Sequence, residues 1–418
     1  MACGSAATAT SSVGGSPYAI VCSGGVSGNY DFSYADGNLT VTKAPLDVTA
    51  NASSRFYGDS NPPFTASYGG FKNGQDIFTA GVTGSPSLTT TATQNSDVGN
   101  YTITAAVGTL ASGNYGFVFH DGTLMVLKAT LEVTANDKSR IYGDANPGFD
   151  ATISAFKNGE TLATSGVTGT ASCSSAATPS SAVPGPYAIG CALGTLAAGN
   201  YGFHFNAGQL TVNKALLTVA AISTSKILGV ANPTFAATYT GFKNGQTLAT
   251  SSVTGDSSLT TVATASSPIG SYTITAAVGS LVSGNYTFSF VNGVLTIVYG
   301  TTGFLQPIND TAHTQTTMSV FKAGSTVPVK FQLLNASGAV VFASALPQWV
   351  TPLQVATTSS PIDEYVYSDP PTSGSTYRSD GSQYIYNWQT SKSDVGKVFR
   401  IGARLDDGTT IYVNIGLK

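Results

Sequence analysis

Charge is scarce in this chain. Only 9% of its 418 residues are Asp, Glu, Lys or Arg, and the net charge is −3. Ordinary soluble domains carry about a quarter. That balance supplies no basic field to hold phosphates, so nucleic acid is excluded as an expected partner. No run approaches the ~18 apolar residues of a membrane-spanning helix. After Met1 there is neither a basic start nor an apolar stretch, so no signal peptide is legible. Histidine is limited to His120, His204 and His313. His120 and His204 are read as one residue out of register with each other in related strands, which would put them on opposite faces and exclude a common site. His-Glu-x-x-His is absent, and no Gly-x-Ser-x-Gly turn sits between a strand and a helix. The adjacent acidic pairs, Asp363-Glu364 and Asp406-Asp407, alternate faces on a strand and do not cooperate. Asp406-Asp407-Gly408 reads as a hairpin turn before it reads as a calcium loop. The expectation is a non-enzymatic protein with no cofactor and no metal.

What the chain does have is repetition. Gly-Asn-Tyr occurs at 28–30, 113–115, 199–201 and 284–286, with spacings of 85, 86 and 85. Asn-Pro at 61–62, 146–147 and 232–233 and Phe-Lys-Asn-Gly at 71–74, 156–159 and 242–245 share that spacing. Three markers with one period define a repeat, and its length suits a domain with its own core. Lys-Ala dipeptides at 43–44, 128–129 and 214–215 set the boundaries. Residues 1–43 match the second half of a unit, 44–128, 129–214 and 215–299 are full units, and 300–418 is unrelated to the unit.

Each unit reads as strands. "LDVTA" (46–50) and "LEVTA" (131–135) alternate with β-branched residues, "YGDSNP" is a turn signal, and Asp121-Gly122 reads as a hairpin. "KNGQDIFTAGVTG" has room for a short helical turn. Six or seven short strands per unit, with 42% hydrophobic residues overall, predict an all-β fold of tandem immunoglobulin-like β-sandwich modules. A β-grasp-like sheet with one short helix is the alternative. The tyrosines of Gly-Asn-Tyr (Tyr30, Tyr115, Tyr201 and Tyr286) are expected to be buried.

The four cysteines fall in two units. Cys22 and Cys191 each lie four residues after a matching tyrosine, and Cys3 and Cys173 fall on one strand. The other units carry Leu88 with Ala105 and Leu259 with Ala276, so both members vanish together. That is the behaviour of bonded pairs, Cys3–Cys22 and Cys173–Cys191. Two pairs of buried free thiols is the other reading. Disulfides imply an oxidising compartment.

The pattern "KAxLxVTA…YGDxNPxF…GFKNG…VGxYxIT…GNYxFxF" resembles the MBG repeat of large bacterial surface proteins over residues 1–299. The resemblance implies β-rich, adhesin-like modules on the cell surface or outside the cell, and no catalytic residues. Tyr57-Gly58-Asp59 and Tyr142-Gly143-Asp144 become Leu228-Gly229-Val230 in the last unit. A repeated binding site would be lost there, whereas a turn would survive. In the C-terminal region, "AGSTVPVKF" (323–331), "GFLQPI" (303–308) and "RLDDGTTIYVNIGLK" (404–418) resemble the PxKF domain. That resemblance implies an immunoglobulin-like module of bacterial secreted proteins, here without the cysteines many carry.

The functional expectation is an extracellular structural or adhesive protein, a bacterial surface stalk or filament subunit. The competing class is a carbohydrate-binding array with its site in the C-terminal domain. Tyr384, Tyr386 and Trp388, spaced by two, share one strand face and read as packing or as a sugar-stacking platform. Surface glycans or cell-surface proteins are the partners this reading expects. The half unit at 1–43 would leave an uncovered sheet, to be read as a piece of a longer array or as a face completed by another copy head to tail.

Overall fold

The computed structural model describes residues 1–310 and 313–418, which divide into two compact units. The first comprises Met1–Arg140, Asn146–Thr178 and Gly185–Thr211, and the second Ile141–Ala145, Pro179–Pro184 and Val212–Lys418. Apart from short 3-10 turns, the regular structure of the described residues is strand.

In the first unit the module beginning at Ala44 shows how the sequence makes the fold. Its opening strand, Ala44–Ala50, points Leu46, Val48 and Ala50 inward and Asp47 outward. It lies between Ala66–Gly69, antiparallel, and Tyr115–His120, parallel. The facing sheet runs Ser53–Phe56, Gly122–Leu127, Gly99–Ala106 and Ser87–Thr89. Leu46, Val48, Ile103 and Leu124 are fully buried between the two sheets, where period-two alternation places them. This is a two-sheet sandwich rather than the β-grasp alternative. The Phe-Lys-Asn-Gly segment forms turns, with Ala80 N–H closing one helical turn onto the Asp76 carbonyl at 2.9 Å.

Asp121-Gly122 does not make the hairpin its sequence suggests. The strands on either side belong to different sheets. The pair carries the chain across the sandwich, and a Cβ on Gly122 would fall 2.5 Å from the Ala50 carbonyl oxygen. Asp121 Oδ1 accepts from Ala105 N–H at 2.9 Å, so the aspartate ties the crossing to the facing sheet.

Both cysteine pairs are bonded, Cys3 to Cys22 and Cys173 to Cys191. Each bond joins directly opposed residues on neighbouring antiparallel strands, where side chains on one face meet. Leu88 opposes Ala105 in the same place, so an apolar pair and a covalent pair are alternative fillings of one site.

Residues 1–43 form a single three-stranded sheet of Ala2–Ser5, Tyr18–Ser23 and Gly37–Leu39, and none of these residues is buried. Tyr30 corrects the expectation of burial: it is 78% exposed, against 1–2% for Tyr115, Tyr201 and Tyr286. In the full modules the tyrosine begins a strand that pairs with the opening strand. Around Tyr30 no such strand pair forms.

In the second unit, Ala215–Ala221 lies between Ala237–Thr240 and Tyr286–Val291, facing Thr224–Ile227, Gly293–Val298, Gly270–Ala277 and Ser258–Thr260. The C-terminal domain is another pair of sheets. One centres on Thr326–Leu334 beside Tyr384–Gln389, the other on Lys397–Arg404 beside Thr410–Leu417. Val327, Val329 and Phe331 are fully buried. Asp406-Asp407-Gly408 turns the last hairpin, with Leu405 N–H donating to the Thr409 carbonyl at 2.8 Å.

Candidate functional site

Three repeated motifs, far apart in sequence, meet at one kind of place: the contact between one module's turn and the next module's loops. The turn is built first. In the first unit Arg55, 6% exposed, donates through Nε to Asn61 Oδ1 at 2.7 Å and through its terminal nitrogen to the Thr93 carbonyl. Asn61 Nδ2 donates to the Ala92 carbonyl at 2.7 Å. The Asn of Asn-Pro is thus a clamp, and it fixes the preceding Tyr57-Gly58-Asp59. Gly58 takes φ +80°, and a Cβ there would lie 2.4 Å from the Lys157 Cβ. Only glycine permits both this backbone conformation and this approach.

The receiving surface comes from Phe-Lys-Asn-Gly and Gly-Asn-Tyr. The Tyr201 hydroxyl accepts from Lys157 N–H at 3.0 Å and donates to Glu160 Oε2 at 2.5 Å. The Tyr57 hydroxyl donates to the other carboxylate oxygen, Glu160 Oε1, at 2.6 Å, and its ring stands edge-on to Tyr201 at 5.4 Å. Lys157 Nζ pairs with Asp59 at 3.1 Å. Asn200 accepts from Val98 N–H at 3.0 Å and donates to Asp97 at 2.7 Å. Burial and the Glu160 carboxylate push Tyr201 up to about 12. For Tyr57 the hydrogen bond to Glu160, with burial second, raises the hydroxyl above its ordinary value.

The arrangement recurs within the second unit. Tyr142 stands edge-on to Tyr286 at 5.6 Å, Asp144 pairs with Lys243 at 2.9 Å, and a Cβ on Gly143 would lie 2.3 Å from the Lys243 Cβ. Tyr286 accepts from Lys243 N–H and donates to Gln246, which stands where Glu160 does. Asn285 accepts from Val183 N–H at 3.0 Å. The first full module receives the loop before it in part of the same way: Asn114 accepts from Val13 N–H, and Asn73 donates to the Ala9 carbonyl, both at 3.1 Å.

The Leu228-Gly229-Val230 turn meets the C-terminal domain instead. Leu228 and Ile269 pack on that domain's core. The Leu228 carbonyl accepts from Ala336 N–H at 2.8 Å, and the Gly229 Cβ position is 3.4 Å from the Ala336 Cβ. Leu228 and Val230 stand where the other repeats carry the tyrosine and the aspartate, so the turn brings neither a phenol nor a carboxylate to this contact. The loss of Tyr and Asp in this repeat alone was the signal in the sequence that the motif faces its neighbour.

The other sequence-derived positions fall elsewhere. Tyr384 and Tyr386 are 1% and 7% exposed, so the proposed ring platform is corrected: these residues form core. Tyr384 stacks on Phe331, Tyr386 stacks on Trp349 at 4.2 Å, and Trp388 is half-buried against Trp349 and Phe399. Their common face is the one turned toward the facing sheet. His120 and His204 are the sixth and fourth residues of equivalent strands, two positions apart in register and therefore on the same face, which corrects the opposite-face reading. Each contacts the carboxylate at the matching position of the neighbouring strand, Asp47 at 2.8 Å and Glu132 at 2.9 Å. Among the described residues no cluster of three or more His, Cys, Asp or Glu could hold a metal ion, and no helix is long and apolar enough to cross a membrane.

No curated relative matches the chain. A solved structure from Bacteroides ovatus, the mixed-linkage glucan utilization locus (MLGUL) SGBP-B in complex with mixed-linkage heptasaccharide, is similar at 14% identity. The match covers 87% of this chain and 93% of that one, with a TM-score of 0.15, too low to carry an argument. The MBG domain (YGX type) matches residues 2–40, 46–125, 131–211 and 217–296, more than half of the chain. With that share of its length matched in four tandem segments, the chain belongs to this family.

Proposed function

We propose that the chain is a non-enzymatic, extracellular structural protein, a stalk-like or adhesive component of a bacterial surface whose repeated motifs serve to seat each module on the next. The observation that carries this reading is the convergence of Tyr57-Gly58-Asp59 on Lys157, Glu160 and Tyr201. The residues that recur at one period are spent on packing and hydrogen bonds between modules. Two disulfides suit an oxidising compartment, and the resemblance of residues 300–418 to the PxKF domain points to the same secreted setting. The tyrosines with raised pKa owe the shift to burial or to their partners in the packing, which supports structural roles for them.

The mechanism is mechanical. A joint held by a buried ring, a shared carboxylate and an ion pair resists bending better than a free linker, whose stiffness is set by composition alone. Limited proteolysis tests it. Tyr57→Ala removes a buried ring whose loss costs about 3 kcal/mol in comparable settings. Cleavage near Lys128-Ala129 should accelerate at least fivefold while the modules stay folded by circular dichroism. Unchanged cleavage in Tyr57→Ala would remove the joint from the account.

A further inference from the structure

The second full module differs from its two sisters beside one sheet edge. A cleft of about 560 Å³ opens there, walled by Phe149, Ile153, Leu162 and Leu196 with Asp150 and Thr170 at its rim. That volume lies within the range of ligand sites. The cleft sits where both sheets end: Ala151–Ser154 is the outermost strand of one sheet, and Ser172–Ser174 of the other.

The sister modules show what fills this place. Ile153 occupies the position of Tyr68 and Tyr239, the third residue of the strand in each case. Tyr68 packs against the cluster of Leu46, Ala80 and Tyr115, and burial raises its pKa. The Tyr239 hydroxyl reaches Ser257 Oγ at 3.3 Å, and Ser257 corresponds to Ala171, which lines the cleft. A tyrosine ring thus spans the same gap in a sister module. In the second module both ends of that bridge are cut back, the ring to isoleucine and the serine to alanine.

We propose that this cleft binds an aromatic side chain carried on an extended segment of a partner protein. The sister ring gives the shape and apolar character of the occupant. The free strand edge gives its backbone a place to pair, since an outermost strand leaves a row of N–H and C=O groups on one side unpaired by its own sheet, and strand addition is a standard mode of peptide capture. The rim carboxylate of Asp150 is engaged by Lys138 at 2.6 Å, so the occupant needs no cation to meet it.

The test uses the full chain and a fluorescent capped peptide, Ser-Thr-Phe-Thr-Ser, with its alanine counterpart. Anisotropy should show saturable binding of the phenylalanine peptide at least tenfold tighter than the alanine peptide, with hydrogen exchange slowed at Ala151–Ile153. Ile153→Tyr restores the ring that the sister modules accommodate, and it should weaken binding at least tenfold with melting unchanged. Equal affinity for the two peptides, no saturation at millimolar concentration, or undiminished binding to Ile153→Tyr would each overturn the proposal. Free phenol competing as tightly as the phenylalanine peptide binds would assign the cleft to small aromatic molecules and overturn the peptide reading.

Discussion

Single residues at the joints explain themselves through what surrounds them. Lys226 stands where Arg55 and Arg140 clamp the Asn of Asn-Pro. Its ammonium reaches the Val230 and Thr264 carbonyls at 2.9 and 2.7 Å but has no counterpart to the guanidinium Nε–H. Among the described residues Asn232 Oδ1 is the one buried side-chain atom left without a partner. Lys226→Arg supplies the missing donor, and it should stabilise the third module by about 1 kcal/mol in denaturant unfolding. Gly58→Ala should act in the opposite sense. It forces a Cβ into φ +80° and against Lys157, at a cost of roughly 1–3 kcal/mol, read as a lower unfolding midpoint. Tyr201 gives the joint a pH dependence. Its pKa rises on folding to about 12, from about 10 in the unfolded chain. The folded state holds the proton more tightly, so this contribution is full below about pH 10 and is lost as pH climbs through about 12. Unfolding measured at about pH 9 and about pH 11 should show the loss, and Tyr201→Phe should reduce it.

At the scale of strands, much was legible before the structure. Alternation in "LDVTA" placed Leu46, Val48 and Ala50 inward, because a half-buried strand writes its orientation into every second residue. Paired disappearance identified both disulfides, because opposed positions on neighbouring strands are filled together. What the sequence hid was strand partnership. Asp121-Gly122 has hairpin chemistry, yet its flanking strands pair with Ala44–Ala50 and Gly99–Ala106 in different sheets. Turn chemistry reports a local reversal, whereas pairing is decided by which apolar faces must be covered. Tyr384, Tyr386 and Trp388 show the same limit: a shared face is readable from spacing, but whether that face is wet depends on the opposite sheet. Reducing Cys173–Cys191 should release the short edge strand Ser172–Ser174 first, with hydrogen exchange there rising before exchange at Ile189. The pair should be replaceable by Leu at 173 and Ala at 191, the filling the sister modules use. The bond closes an 18-residue separation, worth about 3 kcal/mol in the chain-entropy model, so the replacement should lose no more than that.

For the whole molecule, the motifs that looked like scattered landmarks form two halves of a recurring contact. The Tyr-Gly-Asp turn is the outgoing half, and Phe-Lys-Asn-Gly with Gly-Asn-Tyr is the incoming half. The ion pairs themselves are half-exposed and contribute little, about 0–1 kcal/mol each. The buried rings and the glycine approach set the fit. A double-mutant cycle on Asp59→Ala and Lys157→Ala should therefore show coupling of at most about 1 kcal/mol, well below the loss from Tyr57→Ala.

That shared fit makes the receiving faces of the second and third full modules equivalent. The turn at Tyr57 would find in the third full module the same Lys243, Tyr286 and Asn285 that it finds as Lys157, Tyr201 and Asn200 in the second, with Gln246 exchanged for Glu160. A gene built this way can gain or drop one whole repeat by unequal recombination without inventing a new interface, so array length is free to vary while each joint stays the same. The final Leu228-Gly229-Val230 turn is the exception that fixes the order, since its apolar face suits the C-terminal domain and offers no aspartate to a following lysine. Excising residues 129–214 should give a protein that folds with the first full module seated on the third. Moving the third module ahead of the second should leave a joint that proteases open.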